Sequence, residues 1–133
     1  EVAIIIQKDL SYKIMGILFS VHNQLGNRYQ EKYYQRAIEQ GLKDNNLKFQ
    51  KEIPVDLKFN NKKIGKYLLD FFIENAIILE VKTVPNLRPK DFAQVLDYLV
   101  ARNIELGILA NFGTDSLTYK RILNSKFDTN KNE

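Results

Sequence analysis

The clearest hydrophobic pattern lies mid-chain, where two short apolar runs, residues 68–73 and 76–81, flank Glu74-Asn75. Phe, Ile, Leu and Val dominate both runs, which is typical of β-strands, and the intervening dipeptide is typical of a turn. The pattern therefore predicts a hairpin in the middle of a sheet that is apolar on both faces. Three charged residues interrupt this hairpin: Asp70, Glu80 and Lys82.

Helical periodicity dominates the first third of the chain. Apolar residues at three- and four-residue spacing predict a first helix over about residues 9–24 and a second over about 29–40. Gly41 is suited to the position just after the second helix ends. The apolar run 2–6 is too short to classify and could be an edge strand or a loose arm.

Alternating residues predict a strand over 47–59, in which Pro54 indicates an edge position or a bulge. Asn60-Asn61 is typical of the hairpin turn that follows. Pro89 is suited to the first turn of a third helix. That helix runs to about residue 102 and ends at Asn103 in a left-handed conformation.

In the last third of the chain, a short apolar run predicts a strand over 105–111. Residues 116–123 could form a strand or a helix, and the strand is favoured. A polar tail from about residue 124 is predicted to be frayed. The order helix, helix, three antiparallel strands, helix, strand, strand predicts one α+β domain over residues 1–133. Its architecture would be an α/β sandwich, with a mixed central sheet of about four to five strands flanked by helices.

The composition of the chain excludes several kinds of functional site. The 133 residues contain no cysteine and one histidine, which excludes disulfides, thiolate metal sites and a multi-histidine zinc site within one chain. No apolar run approaches the roughly 20 residues that span a bilayer, so we expect a cytoplasmic protein without a membrane partner. The net charge of +4 is compatible with a polyanionic partner, although scattered lysines also occur on generic basic surfaces.

The charges of the hairpin carry the candidate chemistry. The spacing of Asp70 and Glu80 allows their carboxylates to meet across the two strands, and Glu80 and Lys82 share a face because they are two residues apart. Adjacent carboxylates repel unless a cation lies between them, and oxygen ligands suit Mg²⁺ or Mn²⁺. The alternative is that the two acids cap strand ends and Lys82 neutralises one of them.

The register of this hairpin decides between the two interpretations. A two-residue turn would place Ile73 opposite Ala76, so that Asp70 and Glu80 would point to opposite sides of the sheet. One extra residue would instead place Ile73 opposite Ile77 and bring the carboxylates within about 3–6 Å of each other. We predict this shifted register, because asparagine after Glu74 suits the left-handed backbone that such loops use.

The ordered motifs resemble the PD-(D/E)XK nuclease signature, here Asp70 followed by Glu80-Val81-Lys82, and within that superfamily the GxxExxY proteins. The resemblance covers about residues 10–123. Its further segments are HNQLG at 22–26, EKYY at 31–34, GKYLLD at 65–70, QVLDY at 94–98 and GILANFG at 107–113. One departure is that Arg28 stands where the family has its naming glycine, three residues before Glu31.

The resemblance implies a restriction-endonuclease-like core and Mg²⁺-dependent hydrolysis of DNA or RNA, with Mn²⁺ as a substitute. Asp70, Glu80 and the Val81 carbonyl would bind the metal, with Glu31 reaching the same site. Lys82 would orient the attacking water or stabilise developing charge. Glu31 could instead complement the dipole of its helix. A homodimer remains open, as does a catalytically silent nucleic-acid-binding or protein-interaction module on the same fold.

Further residues are candidates for substrate contacts. Gln94 and Tyr98 resemble the Gln-x-x-x-Tyr element of RecB-like nucleases, although Gln94 lies roughly opposite the apolar stripe and could be a solvated residue. Candidate phosphate contacts are His22, Arg28, Arg88 and Lys90, with a core histidine and solvated cations as the alternatives. Candidate base-stacking residues are Tyr29, Tyr33, Tyr34 and Tyr67, of which Tyr34 is expected to fill the core.

Overall fold

The structure is a computed structural model that describes residues 7–132. These residues form three α-helices, a five-stranded sheet and a short 3₁₀ helix. In chain order the elements are α1 (Lys8–Leu25), α2 (Glu31–Asp44), β1 (Phe49–Phe59), β2 (Lys62–Ile73), β3 (Ile77–Lys82), α3 (Pro89–Arg102), β4 (Leu106–Asn111), β5 (Thr118–Leu123) and the 3₁₀ helix (Thr129–Asn132). The predicted element order is confirmed, including a strand rather than a helix before residue 123. Residues 2–6 lie outside the described part.

The sheet is mixed, with strand order β1-β2-β3-β4-β5. All neighbouring strands are antiparallel except β3 and β4, which are parallel because α3 crosses from one to the other. One hydrophobic cluster packs α1 and α2 against one face, and a second packs α3 against the other. The predicted α+β architecture, a mixed sheet flanked by helices, is confirmed.

The hairpin between β2 and β3 adopts the shifted register. Glu74 and Asn75 have positive φ values of 52° and 51°, and the Ala76 amide donates to the Ile73 carbonyl at 2.9 Å. Ala76 is the extra residue, so Ile73 pairs with Ile77 and the following pair is Phe72 with Ile78. The next positions along the strands bring Asp70 opposite Glu80, as predicted.

Three predicted boundaries were wrong. Helix α2 does not end before Gly41 but continues to Asp44. The glycine is required inside the helix because α1 packs closely against it: a Cβ there would lie 2.5 Å from Ile17 Cγ2. Strand β2 begins at Lys62, six residues earlier than its apolar run. The hydrophobic pattern did not reveal this start because the first half of the strand is mostly exposed.

The third correction concerns the tail, which is not frayed over residues 124–132. Asn124 is buried, and its side-chain amide donates to the carbonyls of Leu99 and Ile104. Asn103 ends α3 with a φ of 53°, as predicted, and its side chain exchanges two hydrogen bonds with the backbone of Asp128. Polar residues thus hold this segment, which is why a hydrophobic pattern did not reveal it.

The β1–β2 ribbon, the hairpin that these two strands form, diverges from β3 near Asp70. Leu69 and Phe71 are two residues apart and should share a face, yet Leu69 packs in the α3 cluster and Phe71 in the α1–α2 cluster. Opposite Asp70, which lies between them, Glu52 has a positive φ of 58°. Pairing between β2 and β3 stops at Phe71 and Leu79. The strands therefore diverge at Asp70, which opens a gap in the backbone ladder.

A buried asparagine fixes the chain on the other side of this gap. Asn111 at the end of β4 is 1% exposed and exchanges two hydrogen bonds with the backbone of Val84, of 2.8 and 3.0 Å. Its side-chain oxygen also accepts from the Gly113 amide, and the Phe112 amide donates to the Lys82 carbonyl. The segment after β3 is therefore held against β4 beyond the end of the regular ladder.

We predict that Asn111→Ala lowers the free energy of unfolding by about 3 kcal/mol, because partly buried backbone groups of Val84 and Gly113 lose their partner. Chemical denaturation monitored by circular dichroism measures the change. Asn86→Ala, at an exposed position of the same loop, is the control and should stay within about 0.5 kcal/mol. Equal stability of the two variants would contradict this account of Asn111.

Candidate functional site

Asp70 and Glu80 meet where β2 diverges from β3. The Asp70 amide donates to Glu80 Oε1 at 3.1 Å, and the Val81 amide donates to Asp70 Oδ2 at 2.7 Å. The two carboxyl groups lie close enough for each to shift the pKa of the other. Side chains of the acidic pair thus replace the missing backbone ladder, and the pair lies at the edge of the apolar core.

This environment disfavours two negative charges. Burial, together with hydrogen bonding and repulsion from Asp70, raises the pKa of Glu80 from 4.5 to about 9. Burial also raises the pKa of Asp70, while its hydrogen bonds and the charge of Lys82 oppose that increase. The two acids consequently share a proton near neutral pH, and a bound cation would relieve the same repulsion.

A third carboxylate approaches from α2. Gln35 donates from Nε2 to Asp70 Oδ1 at 2.7 Å and to Glu31 Oε2 at 3.3 Å, so its amide lies between the two acids. Burial and the charge of Asp70 raise the pKa of Glu31, whereas Lys82 lowers it. Glu31 therefore belongs to the same electrostatic group as the acidic pair, although α2 is remote from the hairpin in sequence.

The ammonium group of Lys82 lies between two acids on the α3 side. Its Nζ is 3.8 Å from Glu80 Oε2 and 3.9 Å from Asp91 Oδ1. Asp91 is 2% exposed, and its other oxygen accepts from the Arg88 amide at 2.8 Å, as a cap at the start of α3. The helix start and the end of β3 are thus coupled through one buried carboxylate, which orients Lys82 toward Glu80.

An open groove of about 540 Å³ leads to Asp70 between α2 and the β1–β2 ribbon. Its walls carry four acidic, three basic and two apolar side chains and one amide side chain. They are Glu31, Lys32, Gln35, Arg36, Glu39, Lys51, Glu52, Leu68, Asp70 and Phe71. The groove makes Asp70 accessible from the side of α2.

Other candidate residues make their described contacts with groups other than the carboxylates. His22 is buried beside Phe112, and its Nε2 is 2.9 Å from the Thr114 carbonyl, so it connects α1 to the β4–β5 loop. Tyr98 is packed in the α3 cluster with Arg102 over its ring. Tyr34 is fully buried, as predicted, and stacks on Phe112 at 4.9 Å.

Gln94 and Tyr67 occupy the flank of the site on the α3 side. Gln94 is partly exposed and follows Asp91 by three residues, which places it on the helix flank that faces Lys82. Its backbone carbonyl accepts from the Tyr67 hydroxyl at 3.3 Å. Burial raises the pKa of Tyr67, and the acidic groups of Asp97 and Glu80 add to the increase. The remaining candidate cations, Arg28, Arg88 and Lys90, are exposed.

Sequence reasoning missed two residues of this group. Gln35 follows Glu31 by one helical turn, and that spacing alone would have placed it on the same face. Asp91 stands third in α3 after Pro89, where an acid usually indicates only a helix cap. Its contact with Lys82 depends on how α3 packs and has no signal in the local sequence.

The donor chemistry fits a hard divalent cation. Asp70 and Glu80 offer adjacent carboxylate oxygens, and a cation could take the place of the shared proton between them. Glu31 lies on the far side of the Gln35 amide. Within residues 7–132, no three carboxylate or imidazole groups are already arranged closely enough to hold an ion. A third ligand would therefore require Glu31 and Gln35 to rearrange.

The fold and this arrangement define a restriction-endonuclease-like α+β protein. A family model described as the PD-(D/E)XK nuclease superfamily matches residues 8–122, and the chain therefore belongs to that superfamily. The crystal structure of SSO0001 shares the fold, with a TM-score of 0.52 and 20% identity over 88% of this chain. The chain spans 59% of the length of that protein. No curated protein sequence matches this chain closely enough to count as a relative.

We predict that the metal-free protein becomes less stable as the pH rises. Folding raises the pKa of Glu80 from 4.5 to about 9, so the folded state binds its proton more tightly. That stabilisation is complete below the lower pKa and is lost as the pH passes through the upper one. Thermal melting with a chelator should therefore show a melting temperature that falls between about pH 6 and pH 9.

The Glu80→Gln variant tests the origin of this slope, because its amide cannot ionise and should flatten the pH dependence. Glu39→Gln is the matched control, since Glu39 is an acid of the same groove whose pKa is lowered by Lys51 and Lys43. It should leave the slope between about pH 6 and pH 9 unchanged. An unaltered slope in Glu80→Gln would refute the assignment.

Proposed function

We propose that this chain is a metal-dependent nuclease of the GxxExxY branch that hydrolyses phosphodiester bonds. The observation that carries the proposal is the contact between the carboxyl groups of Asp70 and Glu80, with Lys82 beside Glu80. Such a pair is unfavourable for folding, since burying like charges raises the free energy of the native state. Its presence is explained if a cation binds there during function.

Asp70 and Glu80 would hold Mg²⁺ or Mn²⁺, with Glu31 and the Val81 carbonyl completing the ligand set. When bound, the metal lowers the pKa of a water ligand and neutralises phosphate charge. Gln35 would orient the Asp70 and Glu31 carboxylates through its two hydrogen bonds. Asp91 would hold Lys82 in place, so that the ammonium group reaches the substrate without searching among rotamers.

In the proposed reaction, a water oxygen forms a new bond to phosphorus and releases a proton to solvent. The bond between phosphorus and the ester oxygen breaks, and that oxygen leaves with a proton from solvent. Lys82 would donate a hydrogen bond to the phosphate oxygen on which negative charge increases. The groove bounded by Lys32, Arg36 and Lys51 would accept the rest of the strand. Gln94 would contact the substrate from the α3 side, and the exposed cations Arg28, Arg88 and Lys90 would contact phosphates farther out.

We predict cleavage of nucleic acid that requires Mg²⁺ or Mn²⁺ and is lost in variants of the site. Asp70→Asn, Glu80→Gln and Lys82→Met should each lower the cleavage rate by at least about 100-fold, since each removes charge from the reacting centre. Gel analysis of labelled DNA and RNA, single- and double-stranded, measures the rate. Glu39→Gln, an acid outside the pair, should retain it. Full activity in Glu80→Gln would exclude the proposed site.

We further predict that Mn²⁺ raises the melting temperature by binding the folded state, and that Asp70→Asn abolishes the increase. Gln35→Ala should weaken Mn²⁺ binding by about 10–100-fold, because the carboxylates lose the amide that orients them. Gln40→Ala is the control, since Gln40 lies on the same helix but bonds only to Asp44 at the surface. Equal Mn²⁺ affinity in both glutamine variants would contradict the orienting role.

A further inference from the structure

A cluster of exposed tyrosines and cations lies at the start of α2, outside the carboxylate site. Tyr29 and Tyr33 are 45% and 43% exposed, and their rings meet edge to face at 6.3 Å. We call the set Arg28, Tyr29, Lys32, Tyr33 and Arg36 the tyrosine platform. Exposed aromatic residues normally cost solubility, so a pair of them beside the proposed active site suggests a ligand.

The cations of the platform lie over the rings rather than against acids. Arg28 is 5.8 Å from the centroid of Tyr29, and Lys32 and Arg36 are 5.2 and 5.6 Å from that of Tyr33. None of the three forms an ion pair with an acidic residue in the described range 7–132. The platform therefore presents three positive charges that are not paired in salt bridges and can attract an anion.

The buried residue Tyr34 holds the tyrosine platform in position. The buried Tyr34 donates its hydroxyl proton to the Gly26 carbonyl at 2.5 Å and accepts from the Tyr29 amide at 3.3 Å. The Tyr29 ring contacts the Tyr34 ring at 6.5 Å. The first turn of α2 holds Tyr33, so both exposed rings have defined positions. A preorganised aromatic surface binds a ligand with less loss of conformational entropy.

The platform also adjoins the groove that leads to the acidic pair. Lys32 and Arg36 line that groove together with Glu31 and Asp70. A chain that contacts the platform can therefore continue along α2 into the site. This continuity favours a polymeric ligand over a small anion, which would need only one or two of the cations.

We propose that the tyrosine platform binds unpaired bases of single-stranded nucleic acid and leads that strand to the carboxylates. The inference rests on the proposed nuclease function and specifies its substrate. Bases offer a free π-face for stacking on tyrosine only when they are not stacked in a duplex, whereas the cations can bind the phosphates of either form. The combination of exposed rings and cations therefore selects single strands.

The test is binding without cleavage, measured by fluorescence anisotropy in the presence of a chelator. The probes are a single-stranded thymidine oligomer of about 15 nucleotides, an abasic oligomer of equal length, and a duplex. Tyr29→Ala and Tyr33→Ala should each weaken binding of the thymidine oligomer by about 5–100-fold. Tyr33→Phe should retain it, because stacking needs the ring and not the hydroxyl. Tyr12→Ala is the control, since Tyr12 is 81% exposed on α1 outside the platform.

The abasic oligomer separates stacking from charge. The wild-type protein should bind it at least as weakly as Tyr33→Ala binds the thymidine oligomer, because the abasic strand cannot stack on either tyrosine. Tyr33→Ala should not weaken abasic binding further. Replacing Lys32 and Arg36 by Gln should instead weaken the binding of all three probes. It should also lower the slope of the log binding constant against log salt concentration by the equivalent of about two phosphate contacts. Thymidine-oligomer binding unchanged in both alanine variants, or duplex binding as tight as single-strand binding, would overturn the proposal.

Cleavage assays on the same variants keep this proposal distinct from the proposed nuclease function. Loss of metal-dependent cleavage of single strands in Tyr33→Ala, with metal-induced stabilisation retained, supports the platform. Normal cleavage of single strands in that variant would overturn it and leave the nuclease assignment intact. If the wild-type protein cleaves nothing while Tyr33→Ala loses single-strand binding, the platform stands as a binding surface and the nuclease assignment fails.

Discussion

The close approach of a buried carboxyl group, Glu80, and a partly buried one, Asp70, is the interaction on which this site depends. Ionising both Asp70 and Glu80 is unfavourable, and the fold offsets the repulsion with the Lys82 ammonium, the Val81 amide and the Gln35 amide. The arrangement stores electrostatic repulsion in the native state. A protein that used these residues only for stability would gain by replacing one acid with an apolar side chain.

The backbone makes room for this pair by interrupting its own ladder. Pairing between β2 and β3 ends at Phe71, and the β1–β2 ribbon switches faces between Phe71 and Leu69 while Glu52 adopts a left-handed conformation. A regular ladder would bury the Asp70 amide against β3 and leave no acceptor position for a side chain. Divergence instead directs that amide to Glu80 Oε1. The divergence of β2 from β3 at Asp70 therefore produces the polar gap at the edge of the apolar core.

Buried polar residues then position the groups around the pair. Asn111 holds the segment that follows Lys82, and Asp91 couples the start of α3 to the Lys82 ammonium. Both are almost completely buried, so their bonds act in a medium of low dielectric constant, where a lost partner is costly. The geometry around Lys82 is consequently set by contacts from three different elements rather than by the β3 strand alone.

The sequence by itself determined the order of the elements, the α+β class and the shifted register, because these follow from hydrophobic periodicity and from turn chemistry at Glu74-Asn75. The ordered motifs also indicated the superfamily. Only the tertiary structure decided that Gln35 separates Glu31 from Asp70 and that Asp91 contacts Lys82. It also decided that His22 lies beside Phe112 and that Tyr98 packs in the α3 cluster. It also decided that Gly41 is inside a helix and that residues 124–132 are held in place. These features depend on side-chain contacts between remote elements, and such contacts leave no periodic signal in the chain.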